Sequence, residues 1–300
     1  MIRGPRPTRT PCSTIGSSPT PCPPTPDPCG AVLEVIHISD THFGPDRSHM
    51  IRGANSCQRA EALVAGIRAL PFVPDFIVHT GDVVNDPDPA SFALAAQVLA
   101  DLPAPVYYAA GNHDEASMMR EALAFGPLEP LTVLGGRLCY RIAGAAGEKV
   151  EFFVMDGRVP PEEGPHGHLS DSQMSAVLDR ISGTKSVAVF VHYPLTPIGS
   201  KWIDEHLLVT NGADFQRALA AKAGDRLRGI FSGHLHRAVT LFSGGVLSSC
   251  VSSPVCEFTA GPEDTSCQFL AGGAIPFNHL TFTADATMVK AYHLPFPAGS

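Results

Sequence analysis

The 300-residue sequence lacks the features that mark membrane-spanning, duplex-binding and secreted proteins. It has no apolar run of about 18 residues, so we expect no transmembrane helix. It has no run of Lys or Arg, and its formal net charge of −8 gives no basic footprint for nucleic acid. A polymeric nucleic-acid substrate is therefore disfavoured. The chain does not open with the apolar h-region of a signal peptide, and we expect a cytoplasmic protein.

Cysteine is present, but without the spacing of a metal-binding or disulfide motif. The eight cysteines are scattered with no CxxC pair, which argues against a zinc ribbon and against a secreted disulfide framework. We expect free and mostly buried thiols. A Cys250–Cys256 bridge is the alternative.

Residues 1–30 offer few large apolar side chains to bury. They hold nine prolines among Thr and Ser, and this composition predicts a disordered arm. Alternatively, translation begins nearer Glu34. The chain as a whole is 44% apolar, which is enough for residues 31–300 to form the core of a single catalytic domain.

Strand-like and helix-like segments alternate from residue 31 onwards. Helical apolar spacing starts at Ala60 and stops at Pro71, and a second helix opens with Asp88 as N-cap and Pro89. A capping box at 170–173 starts a third helix, and a fourth covers about 214–222. Short apolar runs predict strands at residues 31–38, 76–79, 105–110, 149–155, 187–191, 229–232, 239–242, 246–251, 280–283 and 288–293.

This order predicts an α/β fold of the α+β type, with two packed mixed β-sheets flanked by helices. The segment at about 239–295 is rich in β-structure, and we expect it either to cap a pocket or to form a homodimer surface. Residues 258–273 within it, rich in Gly and polar residues, are predicted to be an exposed loop.

Polar residues follow five of the predicted strands, where parallel strands of an α/β sheet deliver ligand-binding groups. In Asp40-Thr-His42 and His234-Leu-His236, an extended backbone would point each outer pair to one side. The candidate residues are Asp40, His42, Asp82, Asn112, His113, His192, His234 and His236.

Seven of these residues form a ligand set of four imidazoles, two carboxylates and one amide. This mixture suits zinc, manganese, iron or cobalt. It is too large for one tetrahedral ion. It fits two ions that share a carboxylate and lie about 3.5–4 Å apart.

The blocks Asp-x-His, Gly-Asp, Gly-Asn-His-Asp, His and Gly-His-x-His, in this order, resemble the calcineurin-like metallophosphoesterases over residues 34 to about 240. The resemblance implies a four-layer sandwich and a dinuclear metal centre. It also implies that His113 faces the leaving-group oxygen, although the ring could instead orient Asp114 or the backbone. The implied ligands are Asp40, His42, Asp82 and His236 for one ion, and Asp82, Asn112, His192 and His234 for the other.

Two residues of this chain differ from those of other branches of the same superfamily, and these differences narrow the branch that the chain resembles. Protein Ser/Thr phosphatases carry an arginine where this chain has Asp86, and purple acid phosphatases carry a tyrosine where it has Asn85. Residues 37–42, 81–85 and 167–170 look most like class III cyclic-nucleotide phosphodiesterases and their glycerophosphodiesterase relatives.

We therefore expect a dinuclear-metal-dependent phosphodiesterase acting on small phosphodiesters, with 3',5'-cyclic AMP the leading substrate. The expected catalytic residues are Asp82, which bridges the ions, and His113, which protonates the leaving group after attack by a metal-bridged hydroxide. A glycerophosphodiesterase, a broad-specificity phosphoesterase and a catalytically silent nucleotide-binding scaffold are the alternatives. Candidate substrate-rim residues are Arg47, His49, His166, His168 and Trp202. Structural roles are expected for His37, His79, His206, His279 and His293.

Overall fold

Two β-sheets form the centre of the protein, which a computed structural model describes over residues 33–144, 150–181 and 183–296. The predicted arm at 1–30, the first two residues of the first predicted strand and Lys149 lie outside these ranges. The strands are β1 (Leu33–Ile38), β2 (Met50–Ile51), β3 (Ala54–Asn55), β4 (Phe76–His79), β5 (Val106–Tyr108), β6 (Leu128–Pro130), β7 (Tyr140–Ile142), β8 (Val150–Met155), β9 (Ser186–Val191), β10 (Leu227–Ser232), β11 (Val239–Ser243), β12 (Val246–Cys250), β13 (Cys256–Phe258), β14 (Phe269–Ala271), β15 (Ala274–Phe282) and β16 (Thr287–Pro295).

Helices precede or follow most of the parallel strands. They are α1 (Ser56–Arg68), α2 (Pro89–Leu99), α3 (Ala116–Ala122), α4 (Asp171–Arg180), α5 (Lys201–His206) and α6 (Gly212–Ala223), with short 3₁₀ turns at Leu134–Gly136, Pro161–Glu163 and Gly224–Arg226. Within the described residues, no helix combines the length and the apolar character needed to cross a bilayer.

Each large sheet contains adjacent parallel strands. The five-stranded sheet has the order β16-β15-β1-β4-β5, in which β1, β4 and β5 are parallel. The seven-stranded sheet has the order β11-β12-β10-β9-β8-β7-β6, in which β8, β9 and β10 are parallel. The C-terminal β-rich segment adds strands to both sheets.

The two sheets pack face to face through aromatic side chains. Phe152 of the seven-stranded sheet meets Phe76 and Phe282 of the five-stranded sheet, with ring centroids 5.0 and 5.2 Å apart. The same core includes α1 and α2, whereas a second core joins the seven-stranded sheet to α4 and α6. Helices, sheet, sheet and helices form four layers, which confirms the predicted fold class.

The predicted starts of α2 and α4 are confirmed, but one of the predicted contacts at α4 is not formed. The Asp88 carboxylate accepts the main-chain N–H groups of Ala90 and Ser91 at 2.9 and 3.0 Å, and Pro89 is the first residue of α2, as predicted. Ser170 caps α4, but the side chain of Gln173 bonds both main-chain groups of Asp156 rather than closing a capping box. Gln173 therefore bonds a residue of a distant segment instead of the main-chain N–H of Ser170.

Other predictions need correction. The segment at 258–273 is not simply an exposed loop, because β13 and β14 pair antiparallel within and beside it and Phe258 is buried. Helix α1 starts at Ser56, four residues before the apolar stripe, because the Asn55 side chain caps it. The sequence reading also missed α3, α5, β6 and β7, which are too short to show a clear period.

Candidate metal centre

The eight candidate residues all lie just beyond strand ends. Asp40, His42, Asp82, Asn112 and His113 follow the parallel strands β1, β4 and β5 of one sheet. The remaining three, His192, His234 and His236, follow β9 and β10 of the other. Because the carboxyl ends of these strands meet at one edge of the sandwich, the side chains converge.

The converging side chains form two groups that share one carboxylate. The ligand atoms of Asp40, His42, Asp82 and His236 lie within 4.8 Å of one another, as do those of Asp82, His192 and His234. All six residues are buried. The amide oxygen of Asn112 lies 3.3 Å from Nε2 of His192 and so adjoins the second group.

Asp82 lies between the groups. Its Oδ2 atom is 3.7 Å from Nε2 of His42 in one group and 3.4 Å from Nε2 of His192 in the other. Within the first group, Nε2 of His236 is 3.4 Å from Oδ1 of Asp40 and 3.0 Å from Nε2 of His42. Asp82 is therefore the residue placed to contact two ions at once.

The outer nitrogens of two imidazoles are already bonded to main-chain oxygens. Nδ1 of His192 donates to the carbonyl of Thr80 at 2.7 Å, and Nδ1 of His236 donates to that of Cys256 at 3.2 Å. Because a carbonyl oxygen only accepts, each Nδ1 carries a proton, and each ring, when neutral, presents the Nε2 lone pair inward. This is the tautomer that a metal ligand requires.

One further imidazole nitrogen, on His234, bears on whether the site can hold cations. Nε2 of His234 is buried and has no hydrogen-bond partner within the described residues. Buried polar atoms are usually bonded, so this nitrogen is available to a cation. Together with the inward lone pairs and the shared carboxylate, it makes the donor set suitable for two cations.

The backbone at the ligands is left-handed rather than extended, which corrects the reasoning from residue spacing. Asp40, His42, Asp82, His234 and His236 have φ angles of 57, 46, 51, 67 and 46°. Such conformations cost non-glycine residues of order 1–3 kcal/mol each and persist where the surrounding structure enforces them. The side chains converge because of these turns and not because of strand alternation.

Glycines beside the ligands leave room that no other residue would. A Cβ atom on Gly111 would lie 2.2 Å from Oδ1 of Asp82, and one on Gly233 would lie 1.9 Å from Oγ of Ser39. Gly81 has a φ of 102°. These contacts explain why the Gly-Asp, Gly-Asn-His-Asp and Gly-His-x-His blocks each begin with glycine.

The charges of the site stabilise ionised carboxylates. Burial opposes ionisation, but His236 and His192 hold the pKa of Asp40 below its usual value, and His192 and His113 hold that of Asp82 well below it. Burial likewise lowers the pKa of His192 and His236, but Asp82 and Asp40 respectively raise it by more, to about 9 in each case. At neutral pH and without a cation, both carboxylates are therefore anionic and both rings carry a proton on each nitrogen, so a cation would displace the Nε2 proton of each ring when it binds.

The ring of His113 is fixed at the edge of the site. Its Nδ1 donates to the carbonyl of Asn85 at 2.6 Å, so Nδ1 carries a proton and Nε2 is the other ring nitrogen. It does not orient Asp114 through its ring. The Asp114 carboxylate instead accepts main-chain N–H groups from Val83, Val84 and Gly111, and burial followed by the charge of Asp82 raises its pKa to about 7.

A comparison with known families agrees with this geometry. The model of the calcineurin-like phosphoesterase family matches residues 33–238, from the start of β1 to two residues beyond the Gly-His-x-His block. The chain belongs to this family. Calcineurin-like phosphoesterases use a dinuclear metal centre, and the two buried groups that share Asp82 could each hold a metal ion.

Two curated relatives cover most of this phosphoesterase. It is 25% identical over 266 residues to the 3',5'-cyclic adenosine monophosphate phosphodiesterase CpdA of Escherichia coli (strain K12), covering 88% of this chain and 90% of that one. This chain is also 32% identical over 208 residues to the glycerophosphodiester phosphodiesterase GpdQ of Enterobacter lignolyticus, and the match covers 67% of this chain and 70% of that one. The purple acid phosphatase PPD1 from yellow lupin shares the fold, with a TM-score of 0.57 at 12% identity over 88% of this chain and 52% of that one.

Two cavities adjoin the metal centre of this phosphoesterase, and His113 and Asn112 line both. The larger, of about 630 Å³, also contains Asp86, Arg137 and Arg158. The smaller, of about 170 Å³, is called the aromatic cavity below. Its lining outside the candidate ligands and His113 is Arg52, Pro165, Trp202, Leu207, Phe258, Cys267 and Phe269.

Sequence reasoning found one of these lining residues. Trp202 was a rim candidate, whereas Arg52, Phe258 and Phe269 were missed because no motif connects them. The other rim candidates lie elsewhere: the guanidinium of Arg47 pairs with Glu61, Nδ1 of His168 shares a hydrogen bond with Oγ1 of Thr210, and His49 and His166 line neither cavity.

The remaining histidines and cysteines have contacts outside the two ligand groups. His37 and His79 share hydrogen bonds with the hydroxyls of Thr80 and Thr41. His206 stacks on Trp202, His279 bonds the carboxylate of Glu34, and His293 is exposed on β16. All five cysteines of the described residues are free thiols, so the alternative Cys250–Cys256 bridge is wrong.

Proposed function

We propose that this phosphoesterase hydrolyses small phosphodiesters, with 3',5'-cyclic AMP as the leading substrate. The observation that carries the proposal is the position of Asp82, whose carboxylate lies between two ligand groups while His113 adjoins it. The names of the relatives CpdA and GpdQ support the diester class. GpdQ is more identical to this chain than CpdA is, but its match covers less of the chain. A glycerophosphodiester is therefore the second candidate substrate.

The proposed ligands follow the two groups. Asp40, His42, Asp82 and His236 would hold one ion, and Asp82, Asn112, His192 and His234 would hold the other. Manganese, iron, zinc and cobalt all suit this donor set. When bound, the ions neutralise phosphate charge and lower the pKa of water towards about 7.

His113 is the proposed general acid. Since Nδ1 is bonded to the carbonyl of Asn85, Nε2 is free to hold a proton, and the ring lines both cavities beside the centre. A proton delivered from Nε2 to a departing alkoxide typically accelerates such a step by about 10²–10⁴-fold. A diester supplies the esterified oxygen that receives it.

The charge around the larger cavity favours a monoanion over a dianion. Asp86 stands in this cavity where protein phosphatases have arginine. The guanidinium of Arg158 lies 3.1 Å from Asp156 and 3.0 Å from Glu115, and that of Arg137 lies 3.6 Å from Asp156. These guanidinium charges are compensated, and a phosphomonoester dianion would find little extra positive charge in this cavity.

A substrate panel tests the proposal. The manganese-loaded protein is assayed with cyclic AMP, cyclic GMP, glycerophosphocholine, bis(p-nitrophenyl) phosphate and p-nitrophenyl phosphate, with an Asp82→Ala preparation as the contamination control. We expect a higher kcat/KM for bis(p-nitrophenyl) phosphate than for p-nitrophenyl phosphate, and turnover of cyclic AMP. A clear preference for the monoester would overturn the diesterase assignment, and no turnover of any ester by protein with full metal content would indicate a silent scaffold.

A further inference from the structure

The aromatic cavity continues the metal centre as a surface of flat rings. The ring of Phe258 stacks on His236 with centroids 4.3 Å apart and an interplanar angle of 9°. Phe269 meets Phe258 at 5.0 Å and 64°, and half of Phe269 is exposed. A candidate metal ligand and two phenyl rings therefore form one continuous wall. Nothing in the proposed hydrolysis requires this wall.

A guanidinium without an acidic partner lies on the same wall. Arg52 places its guanidinium carbon 3.8 Å from the ring centroid of Phe269 and 5.3 Å from that of Phe258. Its one hydrogen bond is to Sγ of Cys256, at 3.8 Å, and it has no ion-pair partner in the described part of the chain. Arg52 is exposed, and its guanidinium lies at the border of the cavity without an acidic partner in the described residues.

The backbone holds Arg52 in an unusual position. Its φ angle is 49°, a left-handed conformation that costs a residue with a Cβ atom free energy. The residue before it, Ile51, is buried, and Arg52 lies in the turn between β2 and β3. The turn thus presents a planar, donor-only side chain to the cavity.

A third aromatic ring lines the cavity from α5. Trp202 stacks on His206, with centroids 4.9 Å apart and an interplanar angle of 16°. Nδ1 of His206 donates to the carbonyl of Trp202 at 2.8 Å, which holds the imidazole against the indole. The cavity volume of about 170 Å³ leaves room for a small group and not for a polymer.

We propose that the aromatic cavity binds the nucleobase of a nucleotide substrate, and this proposal rests on the phosphodiesterase function proposed above. A planar base stacks on Phe269 and Trp202, and Arg52 donates to acceptor atoms on the edge of the base. A glycerol group has no flat face to use the rings. A quaternary ammonium headgroup suits aromatic rings, but the uncompensated charge of Arg52 repels it.

The test compares AMP with two ligands that lack its base. Trp202 is the only tryptophan of the chain and lines the cavity, so its fluorescence reports binding without turnover. Manganese-loaded full-length protein is titrated with AMP, ribose 5-phosphate and inorganic phosphate. We expect AMP to quench Trp202 and to bind more tightly than ribose 5-phosphate. Phe269→Ala should weaken AMP binding by roughly 5- to 100-fold and leave ribose 5-phosphate unchanged.

Matched variants separate stacking from general effects. Phe269 is chosen because it is half-exposed, so its removal leaves the core intact, and the thermal midpoint verifies this. Phe269→Leu keeps an apolar side chain without a ring and should behave like Phe269→Ala. Phe242, exposed on β11 and absent from the lining, supplies the control Phe242→Ala, which should bind AMP normally.

Two results would overturn the base site. One is an equal loss of AMP and ribose 5-phosphate binding in Phe269→Ala. The other is an equal loss of AMP, ribose 5-phosphate and phosphate binding in Arg52→Ala, which would make Arg52 a phosphate-binding residue. A failure of the proposed hydrolase function would give a different set of results from a failure of the base site. Base-dependent AMP binding without hydrolysis of any diester would contradict the hydrolase and keep the site, whereas hydrolysis without base preference would contradict the site alone.

Discussion

The main-chain N–H of His113 donates a hydrogen bond to Oδ1 of Asp82 at 2.9 Å, while Oδ2 of the same carboxylate faces His42 and His192. One carboxylate thus adjoins both ligand groups and also fixes the residue proposed as general acid. This hydrogen bond holds the main chain of the proposed proton donor at a fixed distance from the candidate metal centre. It also makes Asp82 the residue whose loss should have the widest effect.

Asp82→Ala should abolish activity and reduce metal content below that of any single terminal-ligand variant, because Asp82 belongs to both groups. Metal equivalents per chain are measured by elemental analysis after purification in manganese. His42→Ala and His234→Ala, each from one group, are the matched comparisons. An Asp82→Ala protein that still binds two equivalents would show that the carboxylate is not shared.

His113→Ala should slow hydrolysis of cyclic AMP by about 10²–10⁴-fold, because an alkoxide leaving group needs a proton. It should slow bis(p-nitrophenyl) phosphate much less, since nitrophenolate departs without one. The measurement is kcat for both substrates, with His168→Ala as a control at a histidine that lines neither cavity. Equal losses on the two leaving groups would remove His113 from the acid role.

Acid should destabilise the protein partly through His37. Burial, followed by the charge of His79, lowers the pKa of this histidine from 6.5 to about 3, so below 6.5 the unfolded chain binds its proton first. The contribution of the buried, neutral His37 ring to the free energy of unfolding is complete above pH 6.5, and it decreases as the pH falls towards about 3.

Urea titrations from pH 7 to about 4, with chelator present, measure this slope. His37→Gln, which has no titrating group, should give a shallower dependence on pH than the wild type. His293→Gln, at an exposed position, should reproduce the wild-type slope. Identical slopes for all three proteins would exclude His37 as a source of acid sensitivity.

Removal of residues 1–30 should leave the thermal midpoint and the turnover number nearly unchanged, because this proline-rich segment has few large apolar side chains to contribute to a core. Both quantities are measured on the full-length and shortened proteins under the same metal loading. A marked drop in either would show that the segment contributes to the folded protein.

The ligand set could be read from the sequence because each ligand lies in a short block next to a strand-like run. A strand end is a local feature, so the sequence predicted Asp82, Asn112 and His192 as candidates, and the structure brings these three side chains together. The start of α2 was equally predictable, since Asp88 bonds residues only two and three positions further along the chain.

Other features depend on contacts between segments that are distant in the chain. Gln173 has the spacing of a capping box, yet its amide bonds Asp156, which is brought to it by the sheet. The left-handed backbone at the ligands is likewise imposed by packing, because Asp and His tolerate this conformation better than most residues but would not by themselves select it at five positions.

Sequence alone therefore predicted the set of candidate metal ligands, and the tertiary structure decided what surrounds them. Arg52 lies in the turn before α1, Trp202 in α5, and Phe258 and Phe269 beyond residue 250, and no spacing rule relates them. They share a cavity because the β13–β14 pair and the β2–β3 turn fold back over the carboxyl ends of the central strands. Such proximity arises from long-range packing, which a one-dimensional pattern does not encode.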